Sequence, residues 1–455
     1  MPPRILPRSE HTVSRKDIDA DALKVLYRLK NHGFVAYMVG GGVRDLLLGR
    51  KPKDFDIGTS AHPQQVKKLF RNCFIIGRRF RLCHVRFGKK VVEVSTFRRQ
   101  AEPEEGDTLI RRDNTFGTPE EDAFRRDFTV NALFYDIATF SVIDYVDGLE
   151  DLRQRVIRTI GDPGVRLRED PVRMLRAVAL AARLGFSIDR DTVEAIHDLR
   201  GEILRSSSPR LLEEFYKILR QGAARRTFEL LHEVGLLSYL LPEADRAMAL
   251  GGEPLLGSLS RLDGYRNAGL ATPDQLSNAV LLGTLLVPLG IPLRRVVPQG
   301  REAREHRDDE GGDEPVVDVK AELEALGETE VEETHAPDPA PSLSLPYARR
   351  DIDRLRLIML AQRRLREVHR SPGVKHLLAG RGYFDDALRW LEIHGGVEGQ
   401  ELAAHWRSLD LGDIAPPPLA TAESARSSAV MPSRSTRRRR RRRRRPPQAP
   451  PTPTV

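Results

Sequence analysis

Two cysteines and two tryptophans in 455 residues exclude some classes at once. Cys73 and Cys83 are too few for a disulfide framework or a zinc site and read as buried or half-buried thiols of a reducing compartment. No stretch approaches the ~20 apolar residues of a membrane span. The opening MPPRILPRSEHTVSRKD lacks the apolar centre of a signal peptide. The expectation is a soluble, cytoplasmic chain. A basic excess is also missing from most of the sequence. The net charge of +9 comes from 74 basic and 65 acidic residues. Nine of the basic residues form one run: Arg437, Arg438, Arg439, Arg440, Arg441, Arg442, Arg443, Arg444 and Arg445. Without them 65 basic residues face 65 acidic ones, so the basic character belongs to a tail and not to the folded body.

What is present sorts into two textures. Residues 17–30 carry apolar positions at helical spacing, and 34–39, 53–57, 74–76, 82–87 and 91–97 read as strands. A Gly88-Lys89-Lys90 turn joins the last two. Ser60 is a candidate cap for a helix starting at Pro63. Short strands are expected at 142–145 and 156–160, and 130–137 is ambiguous. After Asp162-Pro163-Gly164 the strand signal ends. Helices are expected over 171–184, 191–199, 209–220, 226–240, 273–285, 352–368 and 383–394. The fold class is therefore α+β: a head with a small mixed sheet, then an all-helical remainder. Residues 301–340 hold 15 acidic and 4 basic residues and read as a disordered insert. From residue 415 onward the chain is Pro, Ser, Ala and Arg and reads as disordered too.

The densest stretch is YMVGGGVRDLLLGRKPKDFDIGTS, residues 37–60. With 53–57 as a strand, Asp54 and Asp56 present both carboxylates to one face. Like charges that close repel unless a cation sits between them. A hard divalent ion such as Mg²⁺, or Mn²⁺, takes one or two carboxylates plus substrate phosphates. Two such ions ~3.5–4 Å apart serve both oxygens of a phosphoryl transfer. Glu93, charged within a Val-rich strand, is a candidate third carboxylate or a solvent-face residue. Gly40-Gly41-Gly42 follow a strand and open a short helix, where backbone N–H groups approach phosphate. A tight turn alone also uses glycine. Arg44 is placed to add a bidentate phosphate contact. The joint reading is a nucleoside triphosphate plus metal.

Four motifs in order resemble the bacterial poly(A) polymerases and class II CCA-adding tRNA nucleotidyltransferases of the DNA polymerase beta superfamily. They are VGGGVRDLLLGRKPKDFD at 39–56, EDAFRRDFTVNAL at 121–133, DYVDGLEDL at 144–152 and REDPVRMLRAVALAARLGF at 168–186. The resemblance is strong over 35–245 and weak beyond. It implies a nucleotidyltransferase head over 34–160 after an N-terminal extension and helix, 1–33. A helical neck over 161–245 carries base recognition. A helical body covers 246–300 and 346–414, interrupted by the acidic insert at 301–345 and followed by the tail at 415–455. The resemblance places Gly40, Gly41, Arg44 and Arg126 at the triphosphate or ribose, with Asp127 joining the catalytic carboxylates Asp54, Asp56 and Glu93. It implies that Asp170 and Arg173 read the incoming base. Adenine and cytosine each set an amine donor beside a ring acceptor, which an acceptor–donor pair matches; guanine and uracil reverse the pattern. Asp170 before Pro171 is also a natural helix cap.

Within the family, LFRNCFIIGRRFRLCHVRFG at 69–88 and the basic tail resemble the poly(A) polymerase branch. The expectation is template-independent addition of AMP from ATP to RNA 3′ ends, by a monomer whose arginine run grips phosphates without reading sequence. A CCA- or A-adding tRNA nucleotidyltransferase is the near alternative. A non-catalytic RNA-binding protein on the same scaffold is the distant one, and the intact Asp-x-Asp speaks against it.

Overall fold

The computed structural model describes residues 2–77, 81–99, 115–291, 293, 347–369 and 371–409. The acidic insert, the arginine run and the RRF portion of GRRFRL lie outside them.

Among the described residues the head is built on eight strands: β1 (Arg4–Leu6), β2 (Ala36–Val39), β3 (Asp56–Thr59), β4 (Cys73–Ile76), β5 (Leu82–Phe87), β6 (Lys90–Thr96), β7 (Leu133–Asp136) and β8 (Ser141–Asp144). Their order is β1-β8-β7-β2-β3-β6-β5-β4. Only the β3–β6 pair is parallel, so the sheet is mixed, as expected, but larger than the small sheet the pattern implied. The extra strand is β1, from the N-terminal extension; three residues carry too little pattern to declare themselves.

One face of the sheet is apolar. Ala36, Met38, Ile57, Val85, Val94 and Tyr135 are buried there beneath α1 (Ala20–Asn31) and α3 (Pro63–Leu69). The α1 stripe is Ala22, Val25, Leu26 and Leu29, the spacing of one helical face. Asp19 caps it, accepting from Asp21 N and Ala22 N. Ser60 caps nothing: its Oγ accepts from Val35 N, and α3 begins behind His62, whose N–H donates to Gln65 Oε1 at 2.8 Å. The opposite face carries a smaller cluster of Val39, Phe97, Phe134 and Ile143 and leaves room for polar groups.

Beyond the sheet come α4 (Pro119–Phe124), α5 (Gly148–Gln154), α6 (Pro163–Glu169), α7 (Val172–Leu184), α8 (Arg190–Leu199) and α9 (Ser208–Arg220). The remainder is mostly helical, with one exception to the expectation. Ser187–Ile188 forms a two-residue strand parallel to Val156–Ile157, stitching neck to head. The helix expected over 226–240 is two, Ala224–Glu233 and Leu237–Leu240, because Gly235 turns the chain at φ 71. Both cysteines are buried and free. Among the described residues no helix is long and apolar enough to cross a membrane.

Candidate active site

The glycine run stands between β2 and α2 (Gly41–Leu47). Gly40 sits at φ 73, and a Cβ there would lie 3.1 Å from Arg126 Nη1. Gly42 lets the chain close on itself, since a Cβ would lie 3.2 Å from the Asp54 carbonyl. The run thus packs directly against the segment carrying Asp54. Gly40 N–H already donates to Leu133 O at 3.0 Å. The donors of the α2 first turn that lack an intrahelical partner are those of Gly41, Gly42 and Val43, so the set extends past the expected Gly40–Gly41 pair.

Arg44 departs from its expected place at the phosphates. It is 2% exposed, and its Nε and Nη2 donate to Asp45 Oδ1 at 2.8 and 2.6 Å. Nη1 donates to Asn131 Oδ1. With all three nitrogens engaged, the guanidinium braces the turn from inside instead of facing a ligand.

The expected strand over 53–57 begins three residues late, at Asp56. Asp54 therefore precedes β3 and its side chain is 70% exposed. Strand alternation is not what joins the two aspartates, but they are joined. Burial, then Glu93, then Asp54 push the Asp56 carboxyl up to about 6, against Arg126. Burial and Asp54 also raise Glu93, against Arg98. Glu93 follows from register: on the parallel pair Ile57 faces Val94, so Asp56 faces Glu93 on the same side. Three carboxylates share one electrostatic site. Among the described residues no three His, Cys, Asp or Glu side chains converge into a cage for a metal. An all-oxygen set of excess negative charge, open on the Asp54 side, still suits a hard cation whose shell substrate phosphates complete.

Asp127 does not belong to that set. Its Oδ2 pairs with Arg176 of α7 at 2.7 Å. Its Oδ1 accepts from Phe128 N at 2.9 Å and Asn131 Nδ2 at 3.2 Å. Burial alone would raise its pKa; Arg176, Asn131 and Arg173 outweigh it and hold the carboxyl below the ordinary range. Arg126 does reach the site: it lies beside Gly40 and acts on Asp56. Asp122 holds it, accepting from Arg126 Nε and Nη2 at 3.1 and 2.9 Å, from Arg125 Nε at 2.9 Å and from Arg98 N at 3.1 Å. Sequence reasoning passed over Asp122, although its spacing of three and four from Arg125 and Arg126 is the signal of a helical ion pair.

On the neck side, Asp170 and Arg173 stand at the α6–α7 junction without pairing to each other. Arg173 Nη1 donates to Arg166 O at 2.7 Å and Glu169 Oε2 at 3.1 Å. Asp170 does not cap α7; its two oxygens accept from Arg210 of α9 at 2.7 and 2.6 Å. Arg166 Nη1 pairs with Glu169 at 2.7 Å, and Nη2 donates to the carbonyls of Arg125 and Arg126 at 2.6 and 2.8 Å. Arg210 and Arg166 were also missed, and nothing local in the sequence marks the first of them.

A mixed sheet with coupled carboxylates on one face, a glycine turn at its centre and a helical neck closing the far side defines a nucleotidyltransferase head. Residues 36–158 match the poly A polymerase head domain, and residues 185–248 match the probable RNA and SrmB- binding site of polymerase A. Over 258 residues the chain is 52% identical to poly(A) polymerase I of Salmonella typhimurium, covering 55% of this chain and 56% of that one. Over 225 residues it is 40% identical to the CCA-adding enzyme of Geobacillus stearothermophilus, covering 48% and 54%. The crystal structure of the Bacillus stearothermophilus CCA-adding enzyme in complex with CTP superimposes with a TM-score of 0.52 at 28% identity, over 85% of this chain and 80% of that one. The chain spans a little over half the length of the curated relatives it matches. Over residues 36–158 and 185–248 it is similar to the poly(A) polymerases and CCA-adding enzymes.

Proposed function

We propose that the chain is a poly(A) polymerase, transferring AMP from ATP to RNA 3′ ends without a template and releasing pyrophosphate. The observation that carries this reading is the coupled set of Asp54, Asp56 and Glu93 beside the glycine turn, in a chain 52% identical over its matched part to a poly(A) polymerase I. Asp54 and Asp56 are the residues that would hold Mg²⁺, which when bound polarises the phosphate and lowers the pKa of the attacking hydroxyl. The N–H groups of Gly41 and Gly42 and the Arg126 guanidinium receive the triphosphate. Gly40 gives the turn its shape, Arg44 and Asn131 stiffen it, and Asp122 aims Arg126. Glu93 is assigned as the group that accepts the proton of the RNA 3′-hydroxyl. Asp127 ties the head to α7 and acts by positioning.

Base selection falls to Arg173 and Asp170. Arg210 occupies both oxygens of Asp170, so the carboxylate is fixed and the pocket presents one arrangement of donors and acceptors. That arrangement fits adenine and cytosine alike, and adenine is preferred because the chain is 52% identical over its matched part to a poly(A) polymerase I. The tail, which lies outside the described residues, is assigned to RNA phosphates and the chain to the cytoplasm. CCA addition is the second reading, favoured by the 40% identity to a CCA-adding enzyme. One experiment separates them. Purified protein is given Mg²⁺, each NTP singly, and either a generic RNA or a tRNA lacking its 3′ end. Long A tails on generic RNA support the proposal. Addition that stops after one to three nucleotides on tRNA supports the alternative. No incorporation on any substrate refutes both.

A further inference from the structure

The carboxylates begin a row that crosses four strands. Asp56 on β3 faces Glu93 on β6, Glu93 faces His84 on β5, and His84 faces Phe74 on β4. All four side chains lie on the face opposite α1 and α3. His84 Nε2 stands 3.6 Å from Glu93 Oε2. At the far end β4 is the edge of the sheet. Phe74 is 51% exposed there, and the Arg86 guanidinium lies 4.9 Å from its ring centre. Ile76 and Val91 are exposed nearby. An uncovered aromatic ring on an edge strand is a liability unless something stacks on it.

We propose that Phe74, backed by Arg86, is a stacking platform for the 3′ end of single-stranded RNA. The inference rests on the nucleotidyltransferase reading above and adds the path of the acceptor strand. Three observations choose this occupant. The glycine turn and Arg126 adjoin β3 from the β2 side, which leaves the β6–β5–β4 side of Asp56 for the second substrate. The platform joins an aromatic face to a cation, the combination that holds a base and its phosphate without reading sequence. Three strand spacings place Phe74 about 14 Å from Asp56, beneath a nucleotide upstream of the reacting one.

The test uses the full chain as Phe74→Ala and Phe74→Tyr. Labelled oligoadenylate binding is measured by fluorescence anisotropy over a range of salt, and incorporation is measured with RNA varied at fixed ATP. Loss of one base stack in Phe74→Ala is expected to raise the RNA Kd and the RNA KM roughly tenfold. Phe74→Tyr keeps both within about twofold, because a stack needs only the ring. The ATP KM and the slope of log Kd against log salt stay as in the wild type, since stacking releases no counterions. Unchanged RNA affinity in Phe74→Ala overturns the platform, as does an equal loss in both variants. A wild-type chain that incorporates nothing defeats the enzymatic reading alone; the binding series still decides the platform.

Discussion

Asp170 and Arg210 face each other in a two-pronged ion pair, 2.7 and 2.6 Å, across forty residues of sequence. Bidentate pairs of this kind fix geometry as well as charge. Removing the fork in Arg210→Ala leaves the Asp170 carboxylate able to rotate. The expected outcome is a loss of discrimination between ATP and CTP of about tenfold, the worth of roughly 1.4 kcal/mol. The ratio of kcat/KM for the two nucleotides on one RNA measures it. A ratio equal to that of the wild type refutes a selecting role for the pair.

Asp54→Ala and Asp56→Ala are each expected to abolish AMP incorporation while RNA binding persists. Single-nucleotide incorporation and a binding titration on the same preparations check it. Full activity in either variant removes these residues from the metal site. Asp56→Asn sharpens the point, because an amide keeps the shape and removes the charge that Glu93 and Asp54 oppose.

These residues differ in how openly the sequence announced them. The β5–β6 hairpin shows its Gly88-Lys89 turn between apolar runs, and α7 shows an unbroken stripe. Both stand close to where the pattern puts them. Strand alternation explains Asp54 and Asp56 only in part, since β3 starts at Asp56 and Asp54 precedes it while still raising the Asp56 carboxyl. Arg44 misled because a lone arginine on a short helix looks like a surface group. Its burial depends on Asn131, 87 residues later. The Asp170–Arg210 fork depends on how α9 packs beside α7, and that packing leaves no mark at either site.

Arg176→Ala is expected to destabilise the fold by about 2 kcal/mol, less than the usual cost of breaking a buried pair because Arg176 is itself partly exposed. Asp127 supplies the pH signature. Its folded pKa lies below the ordinary 3.8, so its contribution is complete above that value and is lost as pH falls through it towards the folded one. Urea midpoints taken at pH 7, 4 and 3 should therefore converge for wild type and Asp127→Asn at the acid end. Parallel curves would exclude the pair as a source of acid sensitivity.

His394 supplies a second signature in a higher window. Burial beside Trp390, with Arg261 near, drives its pKa down to about 3 from an ordinary 6.5. The unfolded chain takes up a proton below 6.5 that the folded chain refuses, so stability is full above that pH and declines as pH falls towards 3. The decline is at most about 1.4 kcal/mol per pH unit. His394→Gln, which can still bond Thr284 Oγ1, should flatten the drop in Tm between pH 7 and 5. An undiminished drop would place the acid sensitivity elsewhere in the body.

Arg166 binds three groups at once: the Glu169 carboxylate of its own helix and the adjoining carbonyls of Arg125 and Arg126. Pulling α6 away from those carbonyls would leave the Arg166 Nη2 donor and two part-buried acceptors without these bonds, while the Glu169 pair travels with the helix, a cost on the order of a few kcal/mol. That seam is therefore a poor hinge. Under the proposed function, α6 stays seated on the Arg125–Arg126 turn while substrates come and go.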